Sequence, residues 1–319
     1  MSWLVGSRRW SKRHAARNQQ PENSLWWATV LACGVILAPA LEAGSVPGQS
    51  IGTKTVSLVM HASDASGNSV SPASLRAVEV TERGEKLTVV SGPQSAGPEQ
   101  IGLILDSNFH QAKVLGLEKT AAEALLSYFR EDQARAFVMN YGKEIRSSGE
   151  LTENWEDLKA FNRSIQANTD KRNQTILLLD ALKRAMGTLG GGRGTKAIVL
   201  FAEGNDGGSS VSWESLARLA EQDHIACYVV LFADHTFYGT KAIRHYGWDL
   251  IELVPRTGGQ FWEAGSNSQK VENVIQELIH NIRTQCVIEV VPSITQTDRF
   301  HQLKVTSSGR RLKAQAGYF

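Results

Sequence analysis

The chain has 319 residues, 42% of them hydrophobic and 21% charged, a globular composition that excludes a disordered protein. Its net charge of +2 is gathered at the front, where residues 1–43 hold five Arg and Lys against two Glu and leave the remainder at −1. A near-neutral body gives no electrostatic basis for binding nucleic acid or an anionic membrane, and three cysteines (Cys33, Cys227 and Cys286) are too few for a disulfide framework.

Taken in order, the first 43 residues set a basic segment before the uncharged run Leu25–Leu41 and end on small residues. That order reads as a secretory signal cleaved after Ala43. The apolar run of 17 residues also sits at the short end of the membrane-spanning range, so an uncut N-terminal anchor stays open. In both readings the body is exported. Over residues 51–94 short runs alternate apolar and polar positions, as at Val56, Leu58 and Met60 and again at Val78 and Val80. This period predicts half-buried strands, separated by turn residues at Asp64–Asn68. The stretch 92–99 reads as a linker that closes this small β-unit.

The rhythm then changes. A buried strand is predicted at Ile101–Asp106, a helix at Val114–Phe129 and a strand at 134–142, with 143–148 as its edge partner. Helices follow at Trp155–Ile165 and Thr175–Met186, a buried strand at 196–204, a helix at Trp213–Gln222 and a buried strand at 225–233. A helix at Ala242–Val254, a short strand at 259–264 and a helix at Gln269–Thr284 complete the region. Apolar strands alternating with helices predict an α/β domain over residues 101–285: a mostly parallel sheet with helices on both faces. From Cys286 the pattern returns to β at 286–292, 300–307 and 311–319. A lone hairpin is marginal in water, so the tail 286–319 is expected to join the 51–94 unit beside the α/β domain.

Several signatures of chemistry are absent. Neither Gly-x-Ser-x-Gly nor His-Glu-x-x-His occurs, which removes the usual nucleophile elbow and zinc-protease pattern. The Gly-rich stretch Gly187–Lys196 lacks the closing Gly-Lys-Ser/Thr and lies between a helix and the next strand, the reverse of a phosphate loop. Asp234-His235 is an acid–base pair with no nucleophile to complete it. Trp213, Trp248 and Trp262 lie in or beside predicted elements and read as core.

The strand ending in Asp106-Ser-Asn108-Phe-His110, followed later by a strand ending in Ala202-Glu203-Gly204, resembles the von Willebrand factor type A domain. There the corresponding places hold Asp-x-Ser-x-Ser and Thr-Asp-Gly. The alternating segment 56–92 and the tail ending in Gly317-Tyr318-Phe319 resemble the flanking parts of exported bacterial proteins of the von Willebrand factor A-related acidobacterial domain family. The resemblance implies a Rossmann-like α/β domain with a small accessory β-unit from both chain ends. It also implies a protein ligand held at the C-terminal end of the sheet, and a Mg²⁺ site built from hydroxyl and carboxylate oxygens.

Residue by residue, that metal site is degenerate. Asp106 is retained, Asn108 offers a neutral carbonyl oxygen for a serine, and Glu203 is one methylene longer than Asp. His110 offers nitrogen, which suits Zn or Cu better than Mg²⁺. Ile176 falls at the threonine position in a gapless alignment, and Thr175 serves only if the loop slips by one residue. Thus Asp106, Asn108 and Glu203 are the candidate metal ligands. The expected ligand-binding face adds Phe109, His110 and Thr175, with the loops near Asn173–Thr175, Glu203–Ser209 and Asp234–Gly239. If ligand loss alone spoiled the site, exchanging Asn108 and His110 for Ser and Glu203 for Asp would move it back toward metal binding. The leading functional expectation is an exported, non-enzymatic protein-binding module without a cofactor. The alternatives are a structural part of an envelope assembly with this face unused, or a metal-dependent enzyme.

Overall fold

The computed structural model describes residues 55–64, 70–71, 75, 77–95, 98–170, 175–190, 195–232, 248–293, 299–308 and 311–319. The signal or anchor, Cys33, Asn173, the Asp234–Gly239 loop and the start of the helix expected from Ala242 lie outside the described residues. Among the described residues no helix is long and apolar enough to cross a membrane.

Three sheets organise the chain. The N-terminal part supplies β1 (Val56–Ser63), β2 (Glu79–Glu82), β3 (Glu85–Lys86) and β4 (Val89–Ser95). The central part supplies β5 (Pro98–Asp106), α1 (Leu115–Glu131), β6 (Arg135–Tyr141), β7 (Ile145–Ser147), α2 (Trp155–Ser164) and α3 (Leu178–Leu189). It continues with β8 (Thr195–Ala202), α4 (Trp213–Asp223), β9 (Ile225–Leu231), α5 (Trp248–Arg256), β10 (Phe261–Glu263) and α6 (Ser268–Arg283). The tail adds β11 (Cys286–Val290), β12 (His301–Thr306), β13 (Arg311–Ala314) and β14 (Gly317–Tyr318).

The central sheet has the order β10-β9-β8-β5-β6-β7, parallel throughout except for the antiparallel edge strand β7. Counted from β5, this is the doubly wound order 3-2-1-4-5-6, whose ligand crevice lies outside the carboxyl ends of the strands where the order reverses. That point is the end of β5, where Asp106 stands. The four inner strands are buried on both sides, and each face has its own core. Leu103, Val138, Val199 and Tyr228 pack against α1, α2 and α6, whereas Ile104, Phe137, Leu200 and Val229 pack against α3, α4 and α5. This is the expected α/β, Rossmann-like architecture with helices on both faces.

The accessory unit is a β-sandwich. One sheet, β13-β1-β11-β4, faces another, β14-β12-β2-β3, across a core of Leu58, Met60, Val80, Ile288, Val290, Leu303 and Tyr318. Each sheet draws strands from both chain ends, because β1 lies between β11 and β13 and β12 pairs with β2. The sandwich is stitched to the α/β part. Pro255 O, near the end of α5, accepts from Ala316 N of the tail at 2.8 Å. The turn after α5 passes so close to β1 that Gly258, at φ +77°, has no room for a Cβ, which would sit 2.6 Å from that of Val59.

Two element boundaries differ from expectation. The linker expected at 92–99 is largely strand, because β4 runs to Ser95 and β5 starts at Pro98. Helix α3 starts at Leu178 and not at Thr175. Ile176 and Leu177 are held outside the helix beforehand, with Ile176 O accepting from Gly207 N and Leu177 N donating to Gly142 O, both at 3.0 Å.

Candidate functional site

The end of β5 is closed off by its own loop. Asp106 is fully buried, and both of its oxygens receive donors. Oδ1 accepts from the Asn108 backbone N at 2.9 Å, while Oδ2 accepts from Asn108 Nδ2 at 2.9 Å and from the Tyr141 hydroxyl at 3.0 Å. Asn108 caps the 3-10 turn Phe109–Lys113, its Oδ1 accepting from His110 N at 2.7 Å. The chain therefore passes almost directly from strand to turn to α1. Ser107 is also spent internally, donating to Tyr141 O at 2.7 Å and accepting from Asn140 Nδ2 at 2.8 Å.

Two further carboxylates meet Asp106. Glu203 follows β8, and Gly204 at φ +97° turns the chain off the strand. Its carboxylate accepts from Asn205 Nδ2. Glu118, in the first turn of α1, is fully buried with the helix's apolar stripe. Gln111, with its amide nitrogen toward Glu118, donates to Glu118 Oε1 at 3.3 Å, and its oxygen accepts from Glu203 N at 2.9 Å. Glu118 Oε2 is buried with no hydrogen-bond partner among the described residues.

Burial and mutual repulsion raise all three acids. Burial pushes Asp106 up to about 7, with the Glu203 charge adding to it and the Asn108 amide and Tyr141 hydroxyl opposing it. Burial likewise pushes Glu203 up to about 7 and Glu118 well above its ordinary value, where the charges of Asp106 and Glu203 reinforce the rise. The hydrogen bonds divide the roles. Asp106, with three donors aimed at it, is the member built to carry charge; Glu118, with an orphaned oxygen, carries the proton. Burial first, and then Asp106, raise the Tyr141 phenol well above its usual value, so it stays a donor.

The other residues of the expected face are placed around this centre. Phe109 is half-buried and His110 exposed, their rings edge to face at 5.4 Å. Thr175 is exposed and lies beside Gly208, where an added Cβ would meet its methyl at 2.8 Å. Ile176 is buried in the core over α3. The loop after Glu203 is fixed to α3: Asp206 Oδ1 accepts from Leu179 N at 3.1 Å and from Ser209 Oγ at 2.6 Å, and Ser210 N donates to Asp180. The structure thus joins Asp106, Asn108 and Glu203, sets Phe109 and His110 at their front, and places Thr175 against the Gly208 loop.

A hard cation needs oxygen lone pairs converging on one point. Here the Asn108 carbonyl faces His110 N, the Ser107 hydroxyl faces the backbone, and Asp106 faces hydrogens. Among the described residues no three His, Cys, Asp or Glu side chains are placed to hold a metal ion. The residues present do not fit Mg²⁺.

Reasoning from the sequence missed Tyr141, Gln111 and Glu118. The first two give no local signal. Glu118 does give one: an acid on the buried stripe of a helix, in step with Ala121, Ala122, Leu125 and Phe129.

No protein-family model matches the chain, and no curated protein matches it in sequence. Solved structures do. BatB from Bacteroides thetaiotaomicron is 15% identical over 56% of this chain and 96% of its own, with a TM-score of 0.44. The SpRpn10 VWA domain is 12% identical over 56% of this chain and 95% of its own, at 0.41. Proximal thread matrix protein 1 of the mussel byssus, described with a zinc-occupied MIDAS motif, is 14% identical over 60% of this chain and 47% of its own, at 0.47. At such identities the likeness concerns fold alone.

Proposed function

We propose that this chain is an exported, non-enzymatic von Willebrand factor A-like protein of the acidobacterial-related group. It binds a protein partner through the loops at the carboxyl end of its central sheet. The grouping rests on the sequence resemblance of the central domain and both flanking segments. Export rests on the basic, apolar and small-residue order of residues 1–43. The observation that carries the binding function is the closure of Asp106 by its own loop. It leaves a pre-formed polar loop surface, stitched to α1 and α3, with Phe109 and His110 at the front. Loops positioned by a rigid scaffold are the usual carriers of recognition. The same closure supports a degenerate metal site, with Asp106, Asn108 and Glu203 serving as architecture.

Capture of partners from the native envelope with the full chain tests this. Capture is expected to persist in a metal chelator and to be lost when Phe109 and His110 are both changed to Ala. Undiminished capture by that double variant would favour a structural role with the face unused. Capture abolished by the chelator would sink the metal-independent reading.

A further inference from the structure

We propose that Tyr141 decides the fate of the metal position. Its hydroxyl, together with the Asn108 amide, fills with hydrogens the space at Asp106 that a cation would need. This deepens the metal-independent reading above and rests on it.

An ionised carboxylate has about four lone-pair positions, and three at Asp106 are taken. Two of the donors converge on the same oxygen, Oδ2, one from the loop that follows β5 and one from the neighbouring strand β6. A cation approaching Oδ2 would meet two partial positive charges and would have to displace both.

Neither donor turns aside easily. The Asn108 amide is locked, because its oxygen already accepts from His110 N at 2.7 Å. Reversing it would set its nitrogen against that N–H and its oxygen against the Asp106 carboxylate. Tyr141 is fixed more deeply. It is the direct partner of Asp106 in the parallel pairing of β5 with β6, and it is fully buried in the core beneath α3. No exchange at positions 108, 110 or 203 moves that phenol. His110, expected to offer nitrogen to the site, is instead exposed and turned onto Phe109. Restoring the serines and the aspartate therefore leaves the cation position capped by an O–H, and the obstacle sits on a strand outside the loops that supply ligands.

The probe is Mn²⁺, read as loss of the free-ion paramagnetic resonance signal on titration into the full-length chain. The triple variant Asn108→Ser, His110→Ser, Glu203→Asp is expected to bind no more Mn²⁺ than the wild type. Adding Tyr141→Phe is expected to tighten binding by at least about tenfold, roughly 1.4 kcal/mol. Equal binding by the triple and quadruple variants would overturn the proposal. So would a quadruple variant that keeps its circular dichroism spectrum and binds no better than wild type. Should the quadruple variant not fold, the smaller pair decides: Asn108→Ser with Tyr141→Phe must bind more tightly than Asn108→Ser alone. In the wild type, a rise in melting temperature with Mn²⁺ that Asp106→Asn removes would also overturn it. These readouts involve no partner, so their failure leaves partner capture by the loops standing, and failed capture leaves them intact.

Discussion

Glu118 is the residue whose environment makes the sharpest demand. Burial pushes Asp106 and Glu203 up to about 7 and Glu118 well above its ordinary value, so each binds its proton more tightly folded than unfolded. The stability they contribute is complete below the ordinary carboxylate range, about pH 4, and is lost as pH rises, for Asp106 and Glu203 through about 7. Glu118→Gln keeps the shape and removes one titrating proton. It is expected to make the unfolding free energy fall less steeply as pH rises above the ordinary carboxylate range. Denaturant melts at stepped pH check this, and an unchanged slope in the variant would refute it. Legibility at this scale was partial. Asp106 and Glu203 could be read because strand-end acids follow apolar runs. Tyr141 could not, because only the strand register puts it opposite Asp106.

At the scale of elements, the sandwich has a polar centre of its own. Glu82 on β2 is buried, yet its carboxylate is held by three donors brought from the tail. The His301 ring Nδ1 lies 2.6 Å from Oε1, while the Tyr318 hydroxyl at 3.1 Å and the Ser293 hydroxyl reach Oε2. Burial alone would raise Glu82, but the Ser293, His301 and Tyr318 contacts outweigh it and hold the carboxyl below its ordinary value. His301 and Tyr318 also stack with ring centroids 4.8 Å apart, so the cluster ties β2, β12 and β14 together. Glu82→Ala would leave these donors facing a void and is expected to cost about 2 kcal/mol, the scale for leaving buried polar groups without their hydrogen-bond partner. Chemical denaturation measures it, and a loss under about 1 kcal/mol would show the cluster to be dispensable. The starts of α2 and α4 at Trp155 and Trp213 were legible, and there Asn154 and Ser212 each accept from a first-turn amide. The start of α3 was not, since Leu177 offers no capping side chain and Asp206, far along the chain, supplies the acceptor for Leu179 N.

For the whole molecule, the question is what holds the sandwich to the α/β part. A buried polar chain crosses between them. His61 Nε2 on β1 lies 3.0 Å from Gly258 O and 3.1 Å from the Tyr228 hydroxyl, and that hydroxyl donates to Gln285 Oε1 at 2.9 Å. Burial depresses His61 to about 4, so it sits neutral here. Its contribution is full above pH 6.5 and is lost as pH falls through about 4, a ceiling of roughly 3 kcal/mol. His61→Gln is expected to flatten the acid limb of the stability profile while leaving the alkaline limb from Glu118 in place. Thermal melts from pH 7 to 4 would show it, and parallel acid limbs in the two proteins would count against it. Removing residues 286–319 is expected to abolish cooperative unfolding, because β1 would lose both neighbours, β11 and β13. A truncated chain that melts at the full-length temperature would disprove that dependence.

The periodicities of 2.0 and 3.6 by themselves determined the order and type of nearly every element, since burial on one face or two stamps a local pattern on each segment. They also placed an acid at the end of the first central strand. The tertiary structure alone decided which strands pair across more than 200 residues, as β1 does with β11. It alone decided what Asp106 faces, for a carboxylate reads the same in sequence whether its lone pairs meet a cation or the hydrogens of Asn108 and Tyr141. That choice is made by register and by the direction of side-chain dipoles, and neither has a signature in the order of residues along one strand.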